Sequence, residues 1–281
     1  PSGKVSVPTF VNELWTSKQR AGHGLHEISY RACFKPQLPR FFIDRLTKPG
    51  DVVYDPFMGR GTTPLEAALA GRRVIGNDVN PLSAMLVEPR IELPTLESVK
   101  RWLGLIDWKE KVDLPEDLLV FYHRDTLQSL CALRRHLLSA IDLEDAERWI
   151  RMVAVNRLPG HSPGYFSVYS LPPNQAVSVD AQRKINAKRN QTPEPRDVPG
   201  LILKRSKSLL ATCDAKTTAS LTEAAKTSQF TTAPAHRTPF IEDGSVDLVV
   251  TSPPFLDVVD YAGDNWLRCW FCGIDPKTIP I

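Results

Sequence analysis

Between residues 51 and 81 the hydrophobic pattern changes period twice. Val52, Val53 and Tyr54 form a short β-rich apolar run, the pattern of a buried strand. Asp55 to Thr63 interrupt it with Gly59 and Gly61, where a backbone turns tightly or approaches a ligand. Thr63 to Ala70 are mostly good helix formers, and Gly71 is placed to end that helix. Val74 to Gly76 return to strand character, with Asp78 just beyond. Strand, glycine turn, helix, strand and acid together predict a βαβ unit.

The flanking patterns are longer. Phe34 to Pro39 lead into FFIDRL, whose apolar spacing fits an amphipathic helix. Residues 95–108, 115–140 and 144–156 carry apolar positions three and four apart and predict helices. Leu209 to Thr212 predict a third strand that ends at Asp214, and 216–240 a short helix and a loop. Asp247 to Thr251 form another β-rich run, and the segment after Phe255 carries Trp266, Leu267, Trp270 and Phe271 at helical spacing. Residues 1–33 show no sustained period. His23 and His26 lack a third ligand partner there, and an exposed loop is expected.

The chemistry of the glycine turn follows from its acid. Asp55 at the strand end would repel a pyrophosphate and attract an ammonium or sulfonium instead. Turn amides and a helix N-terminus lie beside it, and Asp78 suits a ribose diol. A G-x-G turn alone is weak, and an ordinary α/β turn looks the same. Its combination with Asp55, Thr62, Thr63 and Asp78 is what points to a nucleoside cofactor. The run DPFMGRGTT resembles the cofactor motif of the amino-methylating DNA methyltransferases, usually worded DPFxGSGTT, with Arg60 at a variable position. The resemblance implies S-adenosylmethionine as cofactor, held by Asp55, Pro56, Phe57, Gly59, Gly61, Thr62 and Asp78. It further implies Phe34 and Pro36 on one side of the methionine pocket, and Asp214 near the adenine amino group.

A second motif follows the last β-rich run. In Ser252-Pro253-Pro254-Phe255 two prolines remove two backbone donors and leave rigid carbonyls at a strand end. The Ser252 hydroxyl and the Pro253 carbonyl can accept from an exocyclic amino group, and Phe255 offers a stacking face for a flipped base. Elsewhere such a tetrapeptide would be a turn. TSPPF resembles the catalytic motif of cytosine-N4 DNA methyltransferases, whereas adenine-N6 enzymes more often carry DPPY or NPPY. Many enzymes with the serine wording place this motif before the cofactor motif, and here it comes after. No thiol follows the paired prolines, so cytosine-C5 chemistry through a covalent intermediate is not expected.

Composition adds little. The chain has 281 residues, 42% apolar and 24% charged, with a net charge of +3. These values are ordinary for a globular protein and only mildly favour a polyanion partner. No apolar run is long enough to span a membrane, and the start lacks a secretory core, so a cytoplasmic protein is expected. Five cysteines make no disulfide framework. Cys269 and Cys272 have C-x-x-C spacing with no second pair nearby, which favours two small apolar helix residues over a metal or redox site. Many of the 24 prolines fall in 159–199, which is expected to be irregular or extended. Arg183, Lys184, Lys188, Arg189, Lys204 and Arg205 cluster near Tyr165, Phe166 and Tyr169. That suits phosphate contacts with base stacking nearby, although a solvated loop would have the same composition.

The expectation is an α/β, Rossmann-like class I methyltransferase sheet with a helical and basic insertion. Residues 1–94 would form the N-terminal segment and cofactor half, 95–207 the insertion and candidate DNA-recognition region, and 208–281 the catalytic half. Fewer strands can be placed than the seven the resembled fold implies, so either the sheet is incomplete at its C-terminal side or the insertion contributes strands read here as helix. The implied activity is site-specific methylation of cytosine N4 in double-stranded DNA, on a flipped base. A cognate restriction endonuclease or a second subunit would be the partner. Adenine-N6 methylation, tRNA guanine-N2 methylation and a catalytically silent DNA-binding subunit are the alternatives.

Overall fold

The computed structural model describes residues 22–170, 174–255 and 259–280, with positions 9 and 11. Most of the first 21 residues lie outside this set, as do Leu171 in the aromatic run and Leu256 to Val258 beyond Phe255. The description starts with a 3₁₀ turn, Gly24–Glu27, and helix α1, Gln37–Leu46. Strand β1, Val52–Asp55, then leads through the glycine turn to helix α2, Thr62–Leu69, and strand β2, Arg73–Asp78. The predicted βαβ unit is therefore present within one or two residues at each boundary.

Among the described residues four parallel strands form the sheet in the order β3-β2-β1-β4, where β3 is Gln229–Thr232 and β4 is Leu248–Val249. Val53 pairs with Val74 on one side and Leu248 on the other, so β1 is central. All four of its residues are buried, as expected of a parallel strand covered on both faces. Its centrality brings the tips of β1, β2 and β4 side by side. Cofactor and ligand sites in open α/β sheets form in that position.

Helix α2 lies against β1 and β2, flanked by α1 and by α9, Ala215–Ala225. Helix α3, Leu82–Val87, packs on β2 and β3 and also meets α6, Asp145–Val155. Beyond α3, helix α4, Leu96–Leu105, packs with α6 and with α8, Val198–Leu210. The centre of that block is Trp149, fully buried, whose indole donates to Ser206 Oγ at 2.9 Å. A buried indole needs such an acceptor, and this one fastens α6 to α8. Helix α5, Arg124–Ser139, and helix α7, Val179–Arg189, complete the insertion. The C-terminal segment adds α10, Tyr261–Asp264, and α11, Trp266–Cys272, whose Cys269 and Cys272 are free, buried thiols.

Several expectations are corrected. Leu209 and Leu210 end a helix, not a strand. Asp197 caps that helix by accepting from Gly200 N at 3.0 Å, and Val198, Ile202 and Leu209 bury at helical spacing, which carries LLAT along. The third strand is instead the short QFTT run, inside a segment expected to be helix and loop. Residues 115–140 split into a 3₁₀ turn, Glu116–Val120, and α5, whose start His123 caps. Within the expected irregular stretch 159–199, Val179–Arg189 is helical. The segment before Phe34 is no exposed loop over 24–33: Leu25 and Ile28 are fully buried there.

Candidate cofactor and base site

The turn after β1 is built from backbone geometry that glycine alone accepts easily. Gly59 and Gly61 have φ of +49° and +79°. At Gly61 a Cβ would also sit 2.3 Å from Val87 Cγ2, so the turn is pressed directly onto α3. Met58 N donates to Asn77 O at 3.0 Å, joining the turn to β2. Arg90, fully buried, donates to Leu25 O at 3.2 Å, to Leu86 O at 2.8 Å and to Arg60 O. Burial, reinforced by Arg60, holds its pKa down at about 9. Arg60 turns away from the cavity and donates to Ile28 O at 2.7 Å.

Two carboxylates face the cavity of about 210 Å³ that this turn encloses. Asp78 Oδ2 accepts from Gly59 N at 2.8 Å and its Oδ1 from Asn80 N at 2.9 Å. Asp55, 2% exposed, takes Thr251 Oγ1 at 2.7 Å and Phe57 N at 3.1 Å on the same oxygen, Oδ1. Burial pushes the Asp55 carboxyl up to about 7, against the opposing pull of the Thr251 and Phe57 donors. Burial raises Asp78 as well, with the Asn80 and Gly59 amides opposing it. A buried acid of this kind favours a cation beside it, because the cation restores the charged form.

The SPPF loop reaches the same cavity. Ser252 and Pro254 line it together with Phe34, Asp55, Phe57, Gly59, Thr62 and Asp78. Phe255 is 55% exposed, and its backbone N donates to Tyr261 Oη at 3.2 Å. Pro56, Gly61 and Pro253 shape the two loops without lining the cavity.

Two expected residues stand elsewhere. Asp214 is not at a strand tip: it caps α9 by accepting from Thr217 N at 2.7 Å, and its exposed carboxyl is held below the usual range by that bond. Pro36 precedes α1, and both line a separate hollow between α1, α2 and α9, with Arg40, Glu66 and Lys216. The basic cluster also divides. Arg205 pairs with Glu27, and Arg183 with Asp180 and Asp117. Lys184, Lys188 and Lys204 are exposed, and the Arg189 guanidinium lies 3.8 Å from the Tyr169 ring centre. The run before α7 docks beside the cavity wall, with Ala176 N donating to Asp264 O at 2.9 Å and Trp266 Nε1 to Val177 O at 3.1 Å.

Tyr30, Cys33 and Tyr261 line the cavity and carry no sequence signal of it. Arg31 pairs with Asp264 at 2.9 Å and Arg268 donates to Ser29 O at 2.7 Å, so the 29–33 segment is strapped to α10 and α11. Those contacts join residues more than 230 positions apart, beyond the reach of any local pattern. Among the described residues no cluster of three or more His, Cys, Asp or Glu could hold a metal ion, and no helix is long and apolar enough to cross a membrane.

Comparison with known proteins adds an independent finding. Residues 7–85 match the DNA methylase family of N6- and N4-type enzymes. The type II methyltransferase M.BsoBI of Geobacillus stearothermophilus is 24% identical over 96% of this chain and 57% of its own length. M.MvaI of Kocuria varians is 39% identical over 41% of this chain and 24% of its own. M.MjaII of Methanocaldococcus jannaschii is 33% identical over 32% of this chain and 17% of its own. The chain thus spans little more than half the length of these relatives at most. No solved structure shows a significant match. The chain is thus similar to the N6/N4 DNA methylase family over residues 7–85, and to one type II methyltransferase, M.BsoBI, over nearly its whole extent.

Proposed function

We propose that the chain carries an S-adenosylmethionine-dependent DNA methyltransferase activity directed at the exocyclic N4 of cytosine. One observation carries this reading: the DPFMGRGTT turn at 55–63 and the SPPF loop at 252–255, far apart in the chain, wall a single cavity. The lining fits the cofactor. It is mostly apolar side chains with two carboxylates, Asp55 for an ammonium or sulfonium and Asp78 for a ribose diol, and Phe34 and Phe57 would border it. When bound, the cofactor supplies a methyl group made electrophilic by its sulfonium.

The protein's own contribution is positioning. The amino nitrogen of cytosine is a poor nucleophile because its lone pair is delocalised into the ring. Hydrogen bonds accepted by Ser252 Oγ and the Pro253 carbonyl would favour a more tetrahedral nitrogen with its lone pair aimed into the cavity. Phe255 would hold the flipped base by stacking, and proximity would supply most of the acceleration. Lys184, Lys188, Lys204 and Arg189 would contact phosphates, with Arg183 and Arg205 already engaged by acids. Double-stranded DNA is the proposed partner, and a cognate restriction endonuclease the proposed companion. The serine wording of the loop supports cytosine over adenine.

The test is product identification. Duplex DNA and tRNA are incubated with the protein and S-adenosylmethionine, digested to nucleosides and analysed by mass spectrometry. N4-methylcytosine from DNA is expected. N6-methyladenine would move the base assignment, methylated guanosine from tRNA would move the substrate, and no transfer with DNA binding retained would indicate a silent subunit.

A further inference from the structure

The pairing of β1 with β4 is short. Two residue pairs, Val53 with Leu248 and Tyr54 with Val249, are flanked by Asp247 N donating to Val52 O at 3.0 Å and Val250 N donating to Tyr54 O at 3.1 Å. At the next step the backbones part towards their two loops. A side-chain rung continues the ladder there: Thr251 Oγ1 donates to Asp55 Oδ1 at 2.7 Å. Thr251 is the residue immediately before Ser252, and Asp55 is the first residue of the cofactor turn. Among the described residues, the other hydrogen bonds of the Ser252–Phe255 stretch are at Phe255, whose N donates to Tyr261 Oη at 3.2 Å and whose O accepts from Val259 N at 3.3 Å.

We infer that Thr251 is a positioning residue that couples the two halves of the site, holding Asp55 ionisable for a cationic ligand and fixing the departure of the SPPF loop from β4. The inference rests on the proposed function only for the identity of the ligand. The charged surroundings leave Thr251 an identifiable share of the control. From β2 the Asp78 carboxylate opposes ionisation of Asp55, and from the 29–33 segment the Cys33 thiol lies near enough to feel it. On β1 itself Tyr54 is adjacent, and on β4 the nearest acid, Asp247, is at the opposite end, engaged with Val52 N. The groups that favour the charged form are the Phe57 backbone amide, which substitution cannot remove, and the Thr251 and Thr63 hydroxyls; of the two hydroxyls Thr251 has the larger effect and makes the 2.7 Å bond.

The experiment is a pH titration of the Asp55 carboxyl carbon by NMR in the protein without ligand, with Asp55→Asn identifying the signal. Wild type, Thr251→Val and Thr251→Ser are compared. Loss of the hydroxyl at nearly constant volume should raise the midpoint by half a unit or more, and the serine variant should restore it. A role confined to packing would lower the melting temperature of Thr251→Val and leave the midpoint in place, which overturns the inference. Should Thr251→Val fail to fold, Thr251→Ala and the serine variant give the same comparison. Calorimetry with S-adenosylhomocysteine, the demethylated product, forms a second arm. Weakened binding below neutral pH in Thr251→Val, recovered in Thr251→Ser, is expected. Absence of binding even to the wild type would remove the cofactor reading while the carboxyl titration still decides the role of Thr251.

Discussion

The two loops that meet in the cavity are built in opposite ways. The turn after β1 is over-determined: two positive-φ glycines, a buried arginine on three carbonyls, and Asp78 capped by two amides. Among the described residues the loop after β4 is held by little. Its prolines have no donors, Phe255 is exposed, and its hydrogen bonds at Phe255 are long. Preorganisation matters most where a ligand of one fixed shape is held by several groups at once. Adaptability would suit a loop that, under the proposed function, admits a base brought from a duplex. The difference predicts that substitutions in the first loop act on stability and ligand affinity together, while those in the second act on the reaction and spare the fold.

The largest effect should come from Gly61→Ala. Strain from the left-handed backbone, about 1–2 kcal/mol, adds to overpacking against Val87, about 1–3 kcal/mol. Gly244, in the loop before β4, has nearly the same φ, +72°, with nothing within 4 Å of a built Cβ. Gly244→Ala should therefore show the strain alone. Denaturant midpoints of the two variants measure the difference, and equal losses would mean that the turn is not pressed on α3.

A second, pH-dependent effect belongs to Asp55. Its folded-state pKa of about 7 exceeds the ordinary value of 3.8, so the native state holds a proton that the unfolded chain releases. The stabilising contribution is complete below about pH 4 and is lost as pH rises to about 7, with a slope of at most about 1.4 kcal/mol per pH unit. Asp55→Asn does not titrate. Its melting temperature relative to wild type should climb between pH 4 and 7 and level off above that. A difference independent of pH would mean that Asp55 ionises normally. In the wild type, binding of S-adenosylhomocysteine below pH 7 should release a proton, measurable as a buffer-dependent calorimetric enthalpy.

The same contrast governs how much was legible in the sequence. The β1–α2–β2 unit could be read because period, glycines and acid all agree locally over thirty residues. The SPPF loop could be read because it follows a β-rich run. QFTT could not: its strand is short, only half-buried, and preceded by a helix of Thr, Ala and Ser. Asp214 misled because LLAT has strand-like composition while Val198, Ile202 and Leu209 continue a helical face. Tyr30 and Tyr261 were invisible, since only the folded chain brings the 29–33 strap against α10. The basic cluster was legible as charge but not as availability, because Glu27 and Asp117 lie far from it in sequence.

The smallest effect on the fold, and the sharpest on function, is expected of Phe255→Ala. The ring is more than half exposed, so its removal should leave the melting temperature within the scatter of ordinary surface substitutions. It shares no hydrogen bond with Asp55 or Asp78, so affinity for S-adenosylhomocysteine should be nearly unchanged. Stacking on a base is worth roughly 1–3 kcal/mol, which corresponds to a five- to more than hundredfold loss in methyl transfer to duplex DNA. A substrate carrying a mismatch at the target base costs less to unpair and should recover part of that loss. Transfer rates on matched and mismatched duplexes, measured with cofactor-product affinity and melting temperature on the same preparation, give the test. If Phe255→Ala lowered stability and cofactor affinity together, the loop would belong to the same rigid unit as the glycine turn, and the contrast between the two halves of the site would be lost.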